Sequence, residues 1–185
     1  PAAMVADMLR GMNDDYIRRH GSRRALLASR KAPLRKDYAA AMLNIANGTR
    51  VGRFVVNWSS PTFAAFKGMM CTMRMTGQRK GDALTCDEEL LPTDQRRDDL
   101  TWYIQSGPAG EFLHLAELPA AYHPRDGDCA VVAPAGAKND TTGEAFGTQP
   151  MYLPFLPGNA NCAFSALREF ESIVPLHGAD RKNAP

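Results

Sequence analysis

Cysteine, histidine and methionine are the side chains of this 185-residue chain whose types and spacing bear most directly on chemistry. The four cysteines, Cys71, Cys86, Cys129 and Cys162, lie 15, 43 and 33 residues apart. That spacing excludes a CxxC redox pair and the paired-cysteine arms of a zinc site. A nucleophile–base pair can be written for Cys129 with His123 and for Cys162 with His177. Neither comes with a nucleophile elbow, a glycine-lined oxyanion loop or a third group to orient the base. Four cysteines do not make a disulfide scaffold, although Cys71 and Cys86 face each other if residues 69–86 form a hairpin. Buried free thiols in a reducing, intracellular compartment are the expectation.

Met69, Cys71, Met73 and Met75 alternate along one stretch and offer soft sulfur of the kind that suits Cu(I). A buried strand face needs the same stripe, because methionine fills irregular gaps, so packing is the expected role. Asp126, Asp128 and Asp140 lack the spacing and the terminal glutamate of a calcium loop. The glycines at 48, 52, 77 and 81 do not form a phosphate loop. No metal or cofactor is expected.

Charge carries a stronger signal. Residues 1–80 hold 15 Lys and Arg against 4 Asp and Glu, whereas residues 81–185 hold 7 against 16. The first part is therefore a positive pole at +11 and the second a negative pole at −9, which together give the formal +2. Eight of the cations fall between Arg18 and Lys36 with no acid among them: Arg18, Arg19, Arg23, Arg24, Arg30, Lys31, Arg35 and Lys36. Arg79 and Lys80 add a second, smaller group. Clustered cations of this sort neutralise a polyanion or an acidic partner, and these ten side chains are the candidate contact residues. RNA, anionic lipid and an acidic protein surface all satisfy that chemistry, and so does the chain's own acidic part. Arginines outnumber lysines 16 to 6, which suits bidentate contacts to phosphate or carboxylate and equally reflects a GC-rich coding sequence.

The elements that must carry these groups follow from periodicity. Val5, Met8, Leu9, Met12, Tyr16 and Ile17 recur at helical steps, which predicts a helix over 2–19, and a short basic helix is expected over 22–31 around Leu26 and Leu27. Leu34, Tyr38, Met42 and Ile45 mark a third, starting near Pro33 and stopped by Asn47-Gly48. From Val51 the period becomes two, with Phe54, Val56 and Trp58 on one strand face, and Ser60-Pro61 then opens one or two helical turns closed at Lys67-Gly68. The alternation of Met69–Thr76 predicts a strand, returning through GQRKGD as Ala83–Cys86. A second hairpin is expected from Leu100–Ser106 and Glu111–Leu118 around Gly107–Gly110, with Trp102 and Ile104 opposite Leu113 and Leu115; a helix over 93–105 is the alternative. Cys129–Ala133 is a strand candidate, Ala133–Gln149 a polar loop, Met151–Leu156 extended, and Asn161–Val174 a helix with Phe164, Leu167, Phe170 and Val174 on one face.

The fold class is therefore α+β: amphipathic N-terminal helices, a small antiparallel sheet of hairpins, proline-rich extended segments and a C-terminal helix. Residues 1–50 read as a basic helical N-terminal arm, and 51–185 as an α+β body with a long polar loop at about 133–150. No apolar run approaches the roughly 20 residues that cross a bilayer. No secretory leader is expected, and a start at Pro1 fits removal of an initiator Met or of a longer leader. The expected role is a non-catalytic structural or accessory subunit of a large assembly, bound to other protein subunits. Its arginine- and alanine-rich start favours a mitochondrial complex. An RNA-binding structural protein of ribosomal or virion type is the alternative, and a thiol-dependent enzyme stands behind it.

Overall fold

The fold begins locally at Ser60. In a computed structural model, which describes residues 36–77, 95–106, 111–133 and 149–184, the Ser60 hydroxyl accepts from the Phe63 N–H and Pro61 occupies the first helical turn. A cap and a proline together start a helix, and once nucleated it propagates cheaply through alanine, methionine and lysine. The chain is α+β, as the sequence leads one to expect. Its described helices are α1 (Lys36–Leu43), α2 (Pro61–Thr76) and α3 (Ala163–Ile173). Its strands are β1 (Arg50–Val51), β2 (Phe54–Val55), β3 (Leu100–Gln105), β4 (Phe112–Leu115), β5 (Cys129–Val132) and β6 (Met151–Pro154). None of the described helices is long and apolar enough to cross a membrane.

Helix α2 overturns the methionine strand. It runs through Gly68 to Thr76 and ends only at Gly77, whose φ of 73° and N–H to the Met73 carbonyl make a left-handed cap. Phe63, Ala64, Phe66, Met70 and Cys71 are buried at helical spacing, while Met69 and Met73 are half-buried and Met75 is exposed. Alternating soft residues also satisfy part of a 3.6-residue stripe, and period two alone did not distinguish them. Gly68 fails to stop the helix because it is a contact point. A Cβ there would stand 3.4 Å from the Leu167 Cδ2, where α2 meets α3. The sulfurs therefore do not share one face, and the Cys71–Cys86 hairpin loses its first strand; Cys86 and Ala83 lie outside the described residues.

The two-residue strands β1 and β2 pair antiparallel through a tight turn at Gly52, φ 59°. This turn interrupts the strand expected from Val51, yet its alternation survives: Val56 is buried, Phe54 and Trp58 lean on the core, and Val55 points outward. Trp58 also ties down the end of α1, donating from Nε1 to the Ile45 carbonyl at 2.7 Å and from its backbone to Asn47 Oδ1 at 2.9 Å. Through Ala39, Met42 and Leu43, α1 belongs to the same core as the rest.

The main sheet has the order β4-β3-β5-β6, antiparallel throughout. Trp102 lies opposite Leu115 and Ile104 opposite Leu113, so the expected second hairpin forms and the helical alternative over 93–105 gives way to a single 3-10 turn at Arg97–Asp99. Met151–Pro154 is a full strand rather than merely extended, paired with β5. One face of the sheet, with Leu100, Trp102, Ala130, Val132 and Leu153, is buried under α2 and α3. Phe164 of α3 meets Trp102 edge-on, centroids 5.0 Å apart. Helix α3 starts from Cys162 rather than Asn161, and Asn161 is instead held in the preceding turn by Asn159 Oδ1.

Candidate functional site

The face of the sheet turned away from the helices exposes large side chains along its two edge strands, while Val131 at its centre is only 5% exposed. Alternation sends Trp102 inward and Tyr103 outward, and the register then sets His114 beside Tyr103 and Phe112 beside Gln105. The Tyr103 and His114 rings lie 4.7 Å apart and nearly parallel, tilted 32°. Across β5, Val131 leads to Tyr152 in the row that begins with Thr101. Phe112 is 53% exposed, Tyr152 63% and, on the helix side of the edge strand, Leu113 48%. Among the described strands β4 and β6 are the sheet's edges, so the outer side of Phe112–Leu115 pairs with no described strand and lies beside large apolar side chains.

One end of this face is fastened by Asp128, which is fully buried. Its carboxylate accepts from the Gln105 N–H at 2.9 Å, the Arg125 N–H at 2.7 Å and the Tyr122 hydroxyl at 2.8 Å. Burial and that hydrogen bond push the Tyr122 phenol up to about 12, so it stays a donor. Gly127, with φ 96°, passes so close to Gln105 that a Cβ would lie 2.7 Å from its Nε2. Asp126 is exposed nearby, and Asp140, the third aspartate of the sequence reading, lies outside the described residues.

A second feature is a cleft of about 840 Å³ between α3 and the segments around residues 117–120 and 175–177. His177 Nδ1 meets Glu117 Oε2 there at 2.6 Å, and the Gly178 N–H donates to Glu117 Oε1 at 3.1 Å. Those two donors, the imidazole foremost, hold the Glu117 carboxyl below its usual range. Arg168, also in the cleft, is bound to the carbonyls of Ala120 and Tyr122. Behind it the Glu171 carboxylate bridges Arg97 at 2.7 Å and Arg181 at 2.5 Å.

The thiols stay apart from the histidines: among the described residues no cysteine hydrogen-bonds a histidine. Cys129 Sγ faces the Ala130 carbonyl, Cys162 Sγ accepts from the Leu156 N–H, and His177 is engaged by Glu117. Burial pushes Cys71 up to about 11 and raises Cys129 as well, the direction opposite to an activated thiolate. No group of three metal-ligating side chains occurs among the described residues. Of the ten cationic candidates, Arg18, Arg19, Arg23, Arg24, Arg30, Lys31, Arg35, Arg79 and Lys80 lie outside the described residues, as do the helices expected over 2–19 and 22–31; only the backbone of Lys36, which opens α1, lies within them. The outer-face rings were absent from that list, although the pairing of Tyr103 with His114 follows from a hairpin register the sequence already implies. No protein-family model matches the chain, and no curated protein or solved structure matches it either.

Proposed function

We propose that the chain is a structural subunit of a larger assembly, with a basic N-terminal segment that anchors it and a folded body that presents one edge of its sheet to a neighbour. The observation that carries this is β4: an edge strand with no second partner among the described residues, with Phe112 and Leu113 exposed on its two sides and neither proline nor charge within Phe112–Leu115. Edges of this kind are normally blunted by lysine, proline or a bulge, and one left open is suited to strand addition by a partner. The separation of charge along the sequence supports the same role, since eight cations without an acid sit immediately before and at the start of α1.

The test is isolation of the tagged full chain from native extract, followed by sizing. A particle many times the 20.2 kDa of the chain is expected. Leu113→Lys, which places a charge on the edge, should release at least nine-tenths of the co-migrating material without changing the circular dichroism spectrum. A wild-type chain that runs alone at its own mass would overturn the proposal.

A further inference from the structure

We infer that β4 pairs antiparallel with β4 of a second copy of this chain, joining the two four-stranded sheets into one across a two-fold axis at Leu113. This rests on the reading of β4 as an open edge and names the neighbour that takes it. Backbone direction decides which atoms the edge offers. The Ser106 N–H donates to the Glu111 carbonyl at 2.8 Å, and in an antiparallel ladder the pairs that exchange hydrogen bonds alternate with pairs that do not. With Ile104 opposite Leu113 and Trp102 opposite Leu115, the backbones of Glu111, Leu113 and Leu115 therefore turn toward β3. The far side of β3 agrees: the Ala133 N–H donates to the Asp99 carbonyl at 2.9 Å, which turns the backbones of Thr101 and Tyr103 toward β5. The N–H and carbonyl of Phe112 and of His114 are left pointing outward, and no described residue takes them.

A strand that meets its own copy about a two-fold axis keeps each side chain on its own face of the sheet only if opposed residues differ by an even number of positions. The axis then passes through Phe112, Leu113 or His114. Centred on Phe112, the pairing leaves His114 and Leu115 with no described residue opposite them. Centred on His114, it sets Glu111 against Glu117 at both ends, and directly opposed like charges are unfavourable. Centred on Leu113, it uses the whole strand. Phe112 and His114 of one copy then exchange their outward N–H and carbonyl groups with His114 and Phe112 of the other. The Phe112 ring lies across from an imidazole already 4.7 Å from Tyr103, Leu113 meets Leu113, and Glu111 faces Leu115 rather than a carboxylate. Phe112 and Leu113, 53% and 48% exposed, are both covered, and nothing charged lies within Phe112–Leu115 to repel the copy. This fit of the edge to itself in one register is what points to a second copy rather than a foreign strand. The pairing is short beside the roughly 1,600 Å² of a standard stable interface, so the dimer forms by mass action and dissociates on dilution.

The experiment is sedimentation velocity of the purified full chain from micromolar to submillimolar concentration. Wild type should move from the 20.2 kDa monomer to twice that mass. Leu113→Lys and, separately, His114→Pro should each weaken association by about tenfold or more with the circular dichroism spectrum unchanged. The proline removes an N–H that faces outward and none that β3 uses, which an edge strand tolerates. Single cysteines then read the register. Leu113→Cys sets two Cα atoms about 4.5 Å apart across the axis, within the span of a disulfide, and should crosslink the dimer under copper–phenanthroline and oxygen well above the wild-type background. Phe112→Cys and His114→Cys should stay at that background. Three results would each overturn the inference: a purified chain that is monomeric at every concentration, folded edge variants that associate as tightly as wild type, or crosslinking strongest through Phe112→Cys or His114→Cys. A monomeric purified chain whose large particle from native extract is still released by Leu113→Lys would place a foreign strand on β4 and leave the assembly proposal intact. A bare dimer in extract would do the reverse, keeping the pairing and removing the larger assembly.

Discussion

The C-terminal segment of the chain is held at two points by nearly the same pair geometry in opposite surroundings. At one point Glu171 bridges Arg97 and Arg181 at 2.7 and 2.5 Å, with the arginine side chains only 4% and 2% exposed. At the other, Glu117 meets His177 at 2.6 Å, with the imidazole 77% exposed. Distance cannot distinguish them, so water must. In the buried triad each guanidinium also has carbonyls to satisfy it: Arg97 reaches Val174, and Arg181 reaches Leu176, Arg97 and Leu100. Arg97 further lies 4.4 Å over the Phe170 ring. A buried network of this kind adds little net stability over an apolar equivalent, but it tolerates no missing member. An exposed pair is the reverse: worth little and easily removed.

The largest effect should therefore come from Glu171→Ala, which strands two buried guanidinium groups. We expect a loss of about 3–5 kcal/mol in urea unfolding, the range for breaking a buried pair by deleting one partner. Replacing all three residues together, Arg97→Met, Glu171→Leu and Arg181→Leu, should recover most of that loss. If Glu171→Ala costs no more than removal of Glu117, solvent is not what separates the two points and the contrast fails.

Burial without any partner gives the intermediate case. Cys71, fully inaccessible on α2, is pushed from its ordinary value of 9.0 to about 11, chiefly by desolvation and against the pull of Lys67 and Arg74. Its folded pKa is raised, so the stability it confers is complete below pH 9 and is lost as pH rises toward 11. The full window corresponds to roughly 2–3 kcal/mol. Unfolding free energies of wild type and Cys71→Ala, measured from pH 8 to 10.5, should differ in slope above pH 9 and run parallel below it. Parallel curves throughout would show that the thiol is not desolvated.

How much of this was legible beforehand depended on whether a signal was local. The β3–β4 register was readable because Trp102, Ile104, Leu113 and Leu115 alternate on both sides of a glycine-rich turn. The class and the C-terminal helix were readable for similar reasons. The error at Met69–Thr76 arose because the stretch fits two periods, and the deciding facts lay elsewhere: the cap at Ser60 and the seat for Gly68 against Leu167, almost one hundred residues on. The Arg97–Glu171–Arg181 triad had no signal at all, since its partners are 74 and 84 residues from Arg97 and nothing in their neighbours marks them as buried. The thiol–histidine pairs rested on proximity in sequence alone; among the described residues Cys129 faces the Ala130 carbonyl, Cys162 accepts from the Leu156 N–H and His177 meets Glu117.

The exposed pair sets the lower end of the scale. The Glu117 carboxyl is held below its ordinary 4.5 by the His177 ring and then by the Gly178 N–H. Because the folded value is depressed, whatever stability the contact adds is present above pH 4.5 and disappears as pH falls through the folded value. Glu117→Gln should therefore cost at most about 1 kcal/mol at pH 7, and salt should shrink the difference further. Once the pH lies below the folded value, the variant and the wild type should unfold alike. Hydrogen exchange gives the finer test: the Gly178 amide donates to this carboxylate, so its protection should fall in the variant at pH 7 while that of the Arg97 amide, bound to the Ala184 carbonyl, stays as it was. Loss of protection at both would mean that the two points act as one unit, and that the clamp does not hold the tail without the exposed pair.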